Sequence, residues 1–248
     1  MTKDELIELY QETKELCSSI PAPVSKKETY NEHTPQYGVD FETTTKEGNI
    51  IVEPMDTVSA LIKYSKIGKT AVLNMASAKR KGGGVERGSM AQEECLFRCS
   101  NLFTIPDEFY PIQTYQYIYT TDVSFIRDGY YGIIDPIKAD VITIPAINMN
   151  DSSYDLSKGQ DRQDYECEYI DNMFAMINSA LIGGCDNIIL GAWGCGVFKN
   201  DPEIISDLFK EVLEGGELSK QFKNVVFAVI NDRNSTGNNY QIFKDKFQ

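Results

Sequence analysis

The run Gly82-Gly83-Gly84 is followed, after seven residues, by Gln92-Glu93-Glu94. Three glycines let a chain turn tightly and bring backbone N–H groups close to an oxyanion. A carboxyl group held against such a loop, and against a bound anion, is desolvated and repelled by like charge, so its pKa rises. A carboxyl that keeps its proton near neutrality can protonate the leaving oxygen of a glycosidic bond. Neighbouring residues on a helix point roughly 100° apart. Glu93 and Glu94 therefore do not form the facing pair that flanks the bond in ordinary glycosidases. At most one works on the scissile oxygen while the other does something different. Acidic residues in a first turn also complement the helix dipole, which by itself accounts for many such pairs.

A second glycine-rich stretch, Gly191-Ala192-Trp193-Gly194-Cys195-Gly196-Val197-Phe198, precedes a helix that starts at Pro202. Its backbone suits an anion, and the helix dipole beyond favours a phosphate. Neither GxGxxG nor GxxxxGK[ST] occurs, so the ordinary dinucleotide and P-loop signatures are missing. Each glycine run alone reads equally well as a turn. Lys79-Arg80-Lys81 stands before the first run and can offset a diphosphate's charge or form a solvated basic turn. Of the six cysteines, Cys95 adjoins Glu94, and Cys195 sits in the second loop, where an anion-binding backbone would depress its pKa. The single histidine, His33, lies far away in an irregular segment, so a Cys–His pair is not expected. No CxxC pair occurs, and no metal or other cofactor is implied.

The elements around these loops alternate. An amphipathic helix is expected over residues 3–17 and an irregular arm over 18–39. Short strands are expected at 41–45 and 50–52, and a helix capped by Asp56 over 57–64. A buried strand at 71–73 leads into the first glycine loop, and a helix runs from about Ala91 to Leu102. Residues 113–119 and 123–127 read as a strand pair, 141–144 as a buried strand closed by Pro145, and 150–162 as a polar loop. A helix over 165–181, a strand at 187–190, a helix over 202–213, a strand at 225–230 and a helix over 239–247 complete the chain. Strands alternating with helices predict an α/β fold with a mixed, mostly parallel central sheet. In such sheets ligands bind beyond the carboxyl ends of the strands, where both glycine loops fall. One compact domain, 46–248, is expected, preceded by a helix and arm over 1–45.

The 248 residues carry a formal net charge of −13. Non-specific nucleic-acid binding rests on cations neutralising phosphates, so no direct DNA partner is expected. No apolar run reaches the length of a membrane span. The acidic, amphipathic start does not resemble a leader, and free thiols fit a reducing cytoplasm. A monomer is expected.

Leu73-Asn74-Met75-Ala76-Ser77-Ala78-Lys79, the three glycines and Gln92-Glu93-Glu94 together resemble the microbial-type poly(ADP-ribose) glycohydrolases, which are macrodomains. Asp140–Ala146 with Asn148, Leu190–Phe198 with Asn200-Asp201-Pro202, and Val225–Ile230 extend the likeness over about residues 50–232 in the right order. The resemblance implies a three-layer α/β/α fold and hydrolysis of ribose–ribose bonds in poly(ADP-ribose), with ADP-ribose as product. It assigns Glu94 as the acid and Glu93 as the group that orients the ribose. Asn74, Gly82, Gly83, Gly84 and Gln92 would border the distal ribose and diphosphate. Gly194, Cys195, Gly196 and Val197 would wrap the diphosphate, with Phe198 packing near the ribose or adenine. Asp56 stands where many macrodomains hold the adenine amino group. Arg80-Lys81 replaces the Asn-Pro of many relatives, and Met75 replaces the usual aromatic residue. A non-catalytic ADP-ribose reader and a hydrolase of single ADP-ribose groups on an ADP-ribosylated protein are the alternatives. Retention of both glutamates argues against the reader.

Overall fold

The computed structural model describes residues 1–30, 46–215, 217–231 and 238–248; the expected strand at 41–45 and His33 lie outside them. Seven strands form one sheet: β1 (Val24–Thr29), β2 (Asn49–Glu53), β3 (Thr70–Ala76), β4 (Gln116–Arg127), β5 (Ile133–Pro145), β6 (Asn187–Leu190) and β7 (Asn224–Ala228). Their order is β1-β4-β5-β3-β6-β7-β2. β5, β3, β6, β7 and β2 run parallel, while β4 and β1 add an antiparallel edge. The central parallel strands β3, β6 and β7 are short and almost wholly buried because both faces are covered.

Successive side chains of a strand point to opposite faces, and β3 shows the consequence. Ala71 and Leu73 join a core with Met173, Ile177, Phe209 and Phe243, from α4 (Gly159–Ile182), α5 (Pro202–Lys210) and α6 (Asn239–Phe247). Val72 faces the opposite core with Tyr10, Leu61 and Phe97, from α1 (Lys3–Leu16), α2 (Thr57–Tyr64) and α3 (Gln92–Cys99). The result is the expected three-layer α/β/α arrangement. No helix among the described residues is long and apolar enough to cross a membrane.

Three expectations are corrected. Residues 24–29 of the arm are an edge strand paired with β4 through Val24↔Thr121 to Thr29↔Gln116. Their sequence, Val-Ser-Lys-Lys-Glu-Thr, is polar because an edge faces solvent and is protected by charge. Residues 113–127 are not a strand pair. β4 is one strand with a bulge between Thr120 and Val123, where Asp122 takes φ +58°. Third, the N-terminal segment is integral to the domain. The buried guanidinium of Arg98 on α3 donates to Leu6 O (3.2 Å) and to Ser89 O (2.5 Å), tying α1 to α3 and to the end of the first glycine loop. The Thr13 hydroxyl donates to Arg98 O (2.7 Å) and accepts from Arg127 Nε (3.0 Å).

Candidate active site

A cavity of about 320 Å³ opens beyond the carboxyl ends of β3, β6 and β7, bordered there by Met75, Ala192 and Ala228. β6 pairs with β3 only over Thr70–Val72, whereas β5 follows β3 to Ala76. Where β6 stops, the Gln92 side chain takes its place. Its Oε1 accepts from Met75 N (2.9 Å), and its Nε2 donates to Leu73 O (2.6 Å). The amide thus satisfies a strand edge that the cavity would leave open. Gln92 borders the cavity, but its polar atoms serve the backbone and fix α3 against β3.

With α3 so placed, both glutamates are buried, at 3% and 6% exposure. Each is tethered by one oxygen to the backbone of the loop before it. Glu93 Oε2 accepts from Ser77 N (2.8 Å), and Glu94 Oε1 accepts from Gly84 N (2.7 Å). The other two oxygens, Glu93 Oε1 and Glu94 Oε2, have no partner within the protein, and neither has Asn74 Oδ1. A buried acceptor without a donor costs about 1–3 kcal/mol, so three such atoms on β3 and α3 set this region apart from an ordinary packed core. Asn74 is fully buried on β3 and donates from Nδ2 to Thr143 Oγ1 (3.2 Å).

Burial pushes the Glu93 carboxyl up to about 8. The Ser77 N–H opposes the shift, the neighbouring Glu94 adds to it, and contacts with Asn74 and Gly82 hold it back. Glu93 therefore keeps its proton at neutral pH. The upward shift foreseen for a carboxyl against this loop falls on the residue that the resemblance gives the task of orienting the sugar. Gly83 shows why the loop is glycine: at φ +58°, a Cβ there would meet Glu94 Oε1 at 2.5 Å and Glu93 Oε2 at 2.9 Å.

The second loop is held from below. Asn200 Nδ2 donates to Ile147 O (2.8 Å) and Gly194 O (3.0 Å), and the Tyr165 hydroxyl donates to Asn200 Oδ1 (2.8 Å). Trp193 is buried against Tyr169, with ring centroids 5.0 Å apart. Gly194, Gly196, Val197 and Phe198 border the cavity. Cys195 does not. Its side chain is buried in the core, and its N–H donates to Ala192 O (3.1 Å). Burial raises its thiol pKa, the reverse of the depression expected from an anion-binding loop. Asp201 caps α5 by accepting from Glu203 N (2.9 Å). The helix end expected to favour a phosphate thus already carries a carboxylate.

Asp56 borders the cavity and caps α2, accepting from Val58 N (2.9 Å) and Ser59 N (3.0 Å). The basic triplet disperses. Lys81 donates to Ile105 O (2.8 Å) and pairs with Asp107, while Lys79 pairs with Asp151 at 3.6 Å. Neither borders this cavity. Cys95 does, and the adjacent Cys99 thiol lowers its pKa. Among the described residues no cluster of His, Cys, Asp and Glu is placed to hold a metal ion. Sequence reasoning missed Ser77, Thr143, Tyr131 and Tyr110. Tyr131 borders the cavity. The Tyr110 hydroxyl is buried without a partner; burial raises its pKa, and the proximity of Glu93 adds to the shift. No local signal distinguishes these residues, because each reaches the site from a different strand or turn.

A seven-stranded mixed sheet between two helical layers, with a cavity bordered by the second glycine loop and α3 beyond the strand ends, and with Glu93, Glu94, Asn74 and Gly82–Gly84 gathered behind its wall rather than on it, defines a macrodomain-like α/β protein. The family model of the microbial-type poly(ADP-ribose) glycohydrolase (PARG) catalytic domain matches residues 4–128, and the chain belongs to that family. Among solved structures, poly(ADP-ribose) glycohydrolase from Thermomonospora curvata bound to the inhibitor ADP-HPD is 25% identical, with a TM-score of 0.80. The match covers 98% of this chain and 100% of that one. The enzyme from Deinococcus radiodurans in complex with ADP-ribose is 25% identical, with a TM-score of 0.70, covering 98% of this chain and 90% of that one. No match was found among curated proteins.

Proposed function

We propose that this protein is a poly(ADP-ribose) glycohydrolase that cleaves ribose–ribose O-glycosidic bonds and releases ADP-ribose, with Glu94 as its acid. Family membership supports the reaction class. Glu93 and Glu94 share a split environment, one oxygen fixed by a backbone N–H and the other buried and unpartnered, and the choice of Glu94 rests on its place in the family motif, where the second glutamate is the acid. A carboxyl held at one oxygen delivers its proton from the other along a defined direction. Glu94 protonates the leaving ribose oxygen as positive charge develops at the anomeric carbon. The resulting carboxylate then takes a proton from the water that adds there. Glu93, held by Ser77 and protonated at neutral pH, hydrogen-bonds the ribose hydroxyls and orients the ring. Its neutrality keeps a negative charge away from the anionic diphosphate.

Glu94→Gln should reduce release of ADP-ribose from poly(ADP-ribose) by at least about a thousandfold while ADP-ribose affinity stays within a few fold, because only the proton source is removed. Free ADP-ribose followed over time, with calorimetric binding in parallel, checks both numbers. Full activity in the variant would remove Glu94 from the mechanism. Binding without turnover by the unmodified protein would make it a reader. Release from a mono-ADP-ribosylated protein alone would move the substrate to single groups.

A further inference from the structure

Cys95 follows Glu94 on α3, and its partly exposed side chain borders the cavity. Residues three and four apart on a helix are neighbours, with Cβ atoms about 5–6 Å apart. Arg98 and Cys99 therefore stand beside Cys95 along one side of α3. Cys99 is fully buried, and its thiol donates to Asp128 O (3.3 Å). It also lies within hydrogen-bonding reach of the Cys95 sulfur, as does the hydroxyl of Tyr131, which borders the same cavity. The Arg98 guanidinium is fully buried, spends Nε and Nη2 on backbone oxygens and leaves Nη1 without a partner.

A thiol, a phenol and a buried cation thus gather around one sulfur at the cavity wall. Such donors suit a sulfur that carries negative charge. Cys99 has the largest effect. With Tyr131 and Arg98 it outweighs burial and the nearby Asp56 charge, and the Cys95 thiol is held below its ordinary pKa. Cys167 on α4 supplies the contrast. It is also partly exposed, but burial and the charges of Asp171, Asp164, Glu166 and Glu211 raise its thiol. The remaining cysteines are buried.

We propose that Cys95 is a site of oxidation by hydroperoxides that enter through the ligand cavity, and that the modified sulfur obstructs ADP-ribose. The second part rests on the glycohydrolase reading above. The Cys95 thiolate attacks one peroxide oxygen, so an S–O bond forms and the O–O bond breaks. Sulfur loses two electrons, the peroxide gains them, and the departing oxygen takes up the proton that the thiol released. One thiol and one hydroperoxide give one sulfenic acid and one alcohol, or water when the oxidant is hydrogen peroxide. A disulfide needs Cβ atoms about 3.5–4.5 Å apart, closer than helical positions four apart stand. Cys99 therefore remains a donor, and the sulfenic acid is the product.

The reduced protein, treated with hydrogen peroxide in the presence of dimedone, should gain the adduct on Cys95 at least about tenfold faster than on Cys167. Peptide mass spectrometry reads both rates. Saturating ADP-ribose should slow labelling of Cys95 and leave Cys167 unaffected. Cys99→Ala should slow labelling of Cys95 by about threefold or more, with Cys167 as the internal standard. In calorimetry the labelled protein should bind ADP-ribose at least about tenfold more weakly than the untreated protein, because the cap fills the cavity. The same treatment should not change the affinity that Cys95→Ala had before it. Equal labelling of Cys95 and Cys167 would overturn the proposal, as would full ADP-ribose affinity in protein labelled at Cys95. A protein that labels at Cys95 but binds no ADP-ribose even before treatment would instead remove the glycohydrolase reading, and the oxidation site would stand on its labelling.

Discussion

Two adjacent glutamates in one first turn acquire different environments because the chain before them supplies different donors. Glu93 reaches back to Ser77 and Glu94 to Gly84, so one loop holds both, and Gly83 lies between. Any side chain at position 83 meets two carboxylate oxygens and must also adopt φ +58°. Such backbone strain alone costs about 1–3 kcal/mol. Gly83→Val should therefore lower turnover by at least about a hundredfold through misplaced carboxylates, and should weaken ADP-ribose binding as well. Steady-state kcat and a calorimetric Kd on the same preparation test this. Unchanged values for both would show that residue 83 does not border the ligand.

At the scale of elements, the site depends on β6 being shorter than its neighbour. The strand stops at Leu190, the cavity begins, and the Gln92 amide completes the exposed edge of β3. Glutamate at this position keeps an acceptor for Met75 N but places a negative oxygen against Leu73 O. Gln92→Glu should cost about 1–3 kcal/mol, or roughly 2–12 °C in melting temperature for a domain of this size. A thermal melt near neutral pH reads it directly. A melting temperature equal to that of the parent would mean that α3 is held by its apolar face alone. Helix α1 acts from the other side, through the Arg98 guanidinium between Leu6 O and Ser89 O. The N-terminal helix thereby helps to fix the end of the first glycine loop.

For the whole molecule, a protonated buried carboxyl links stability to pH. The Glu93 carboxyl ionises near 4.5 in an open chain and near 8 in the fold. Between those values the folded state keeps a proton that the unfolded state has released. Stability from this group is thus fully present below about 4.5 and is lost as pH rises to about 8, by at most about 1.4 kcal/mol per pH unit. Glu93→Gln cannot ionise and should flatten that part of the profile. Urea midpoints for both proteins at intervals from pH 5 to 9 make the comparison, and parallel curves would contradict the raised pKa.

Much of the site's chemistry was legible in the residues themselves. The three glycines, the spacing to Gln92-Glu93-Glu94, the Asp56 cap and the buried strands at 71–73 and 187–190 are local signals. Each depends on dihedral preference, capping or periodicity within a few residues. The α/β fold and both glycine loops beyond the strand ends followed from them. Other features rest on contacts between distant parts of the chain. The Tyr30 hydroxyl meets Asn172 across 142 residues, and Thr13 meets Arg98 across 85. Through such contacts a polar arm became a sheet edge. Packing likewise turned the Cys195 side chain into the core, gave the Gln92 amide to β3 and paired Lys79 with Asp151 away from the cavity. Residue type and spacing determined which groups were available for chemistry. Only the tertiary structure decided which oxygen of each glutamate was tethered and which was left for a ligand, because burial and hydrogen-bond partners are properties of the packed chain.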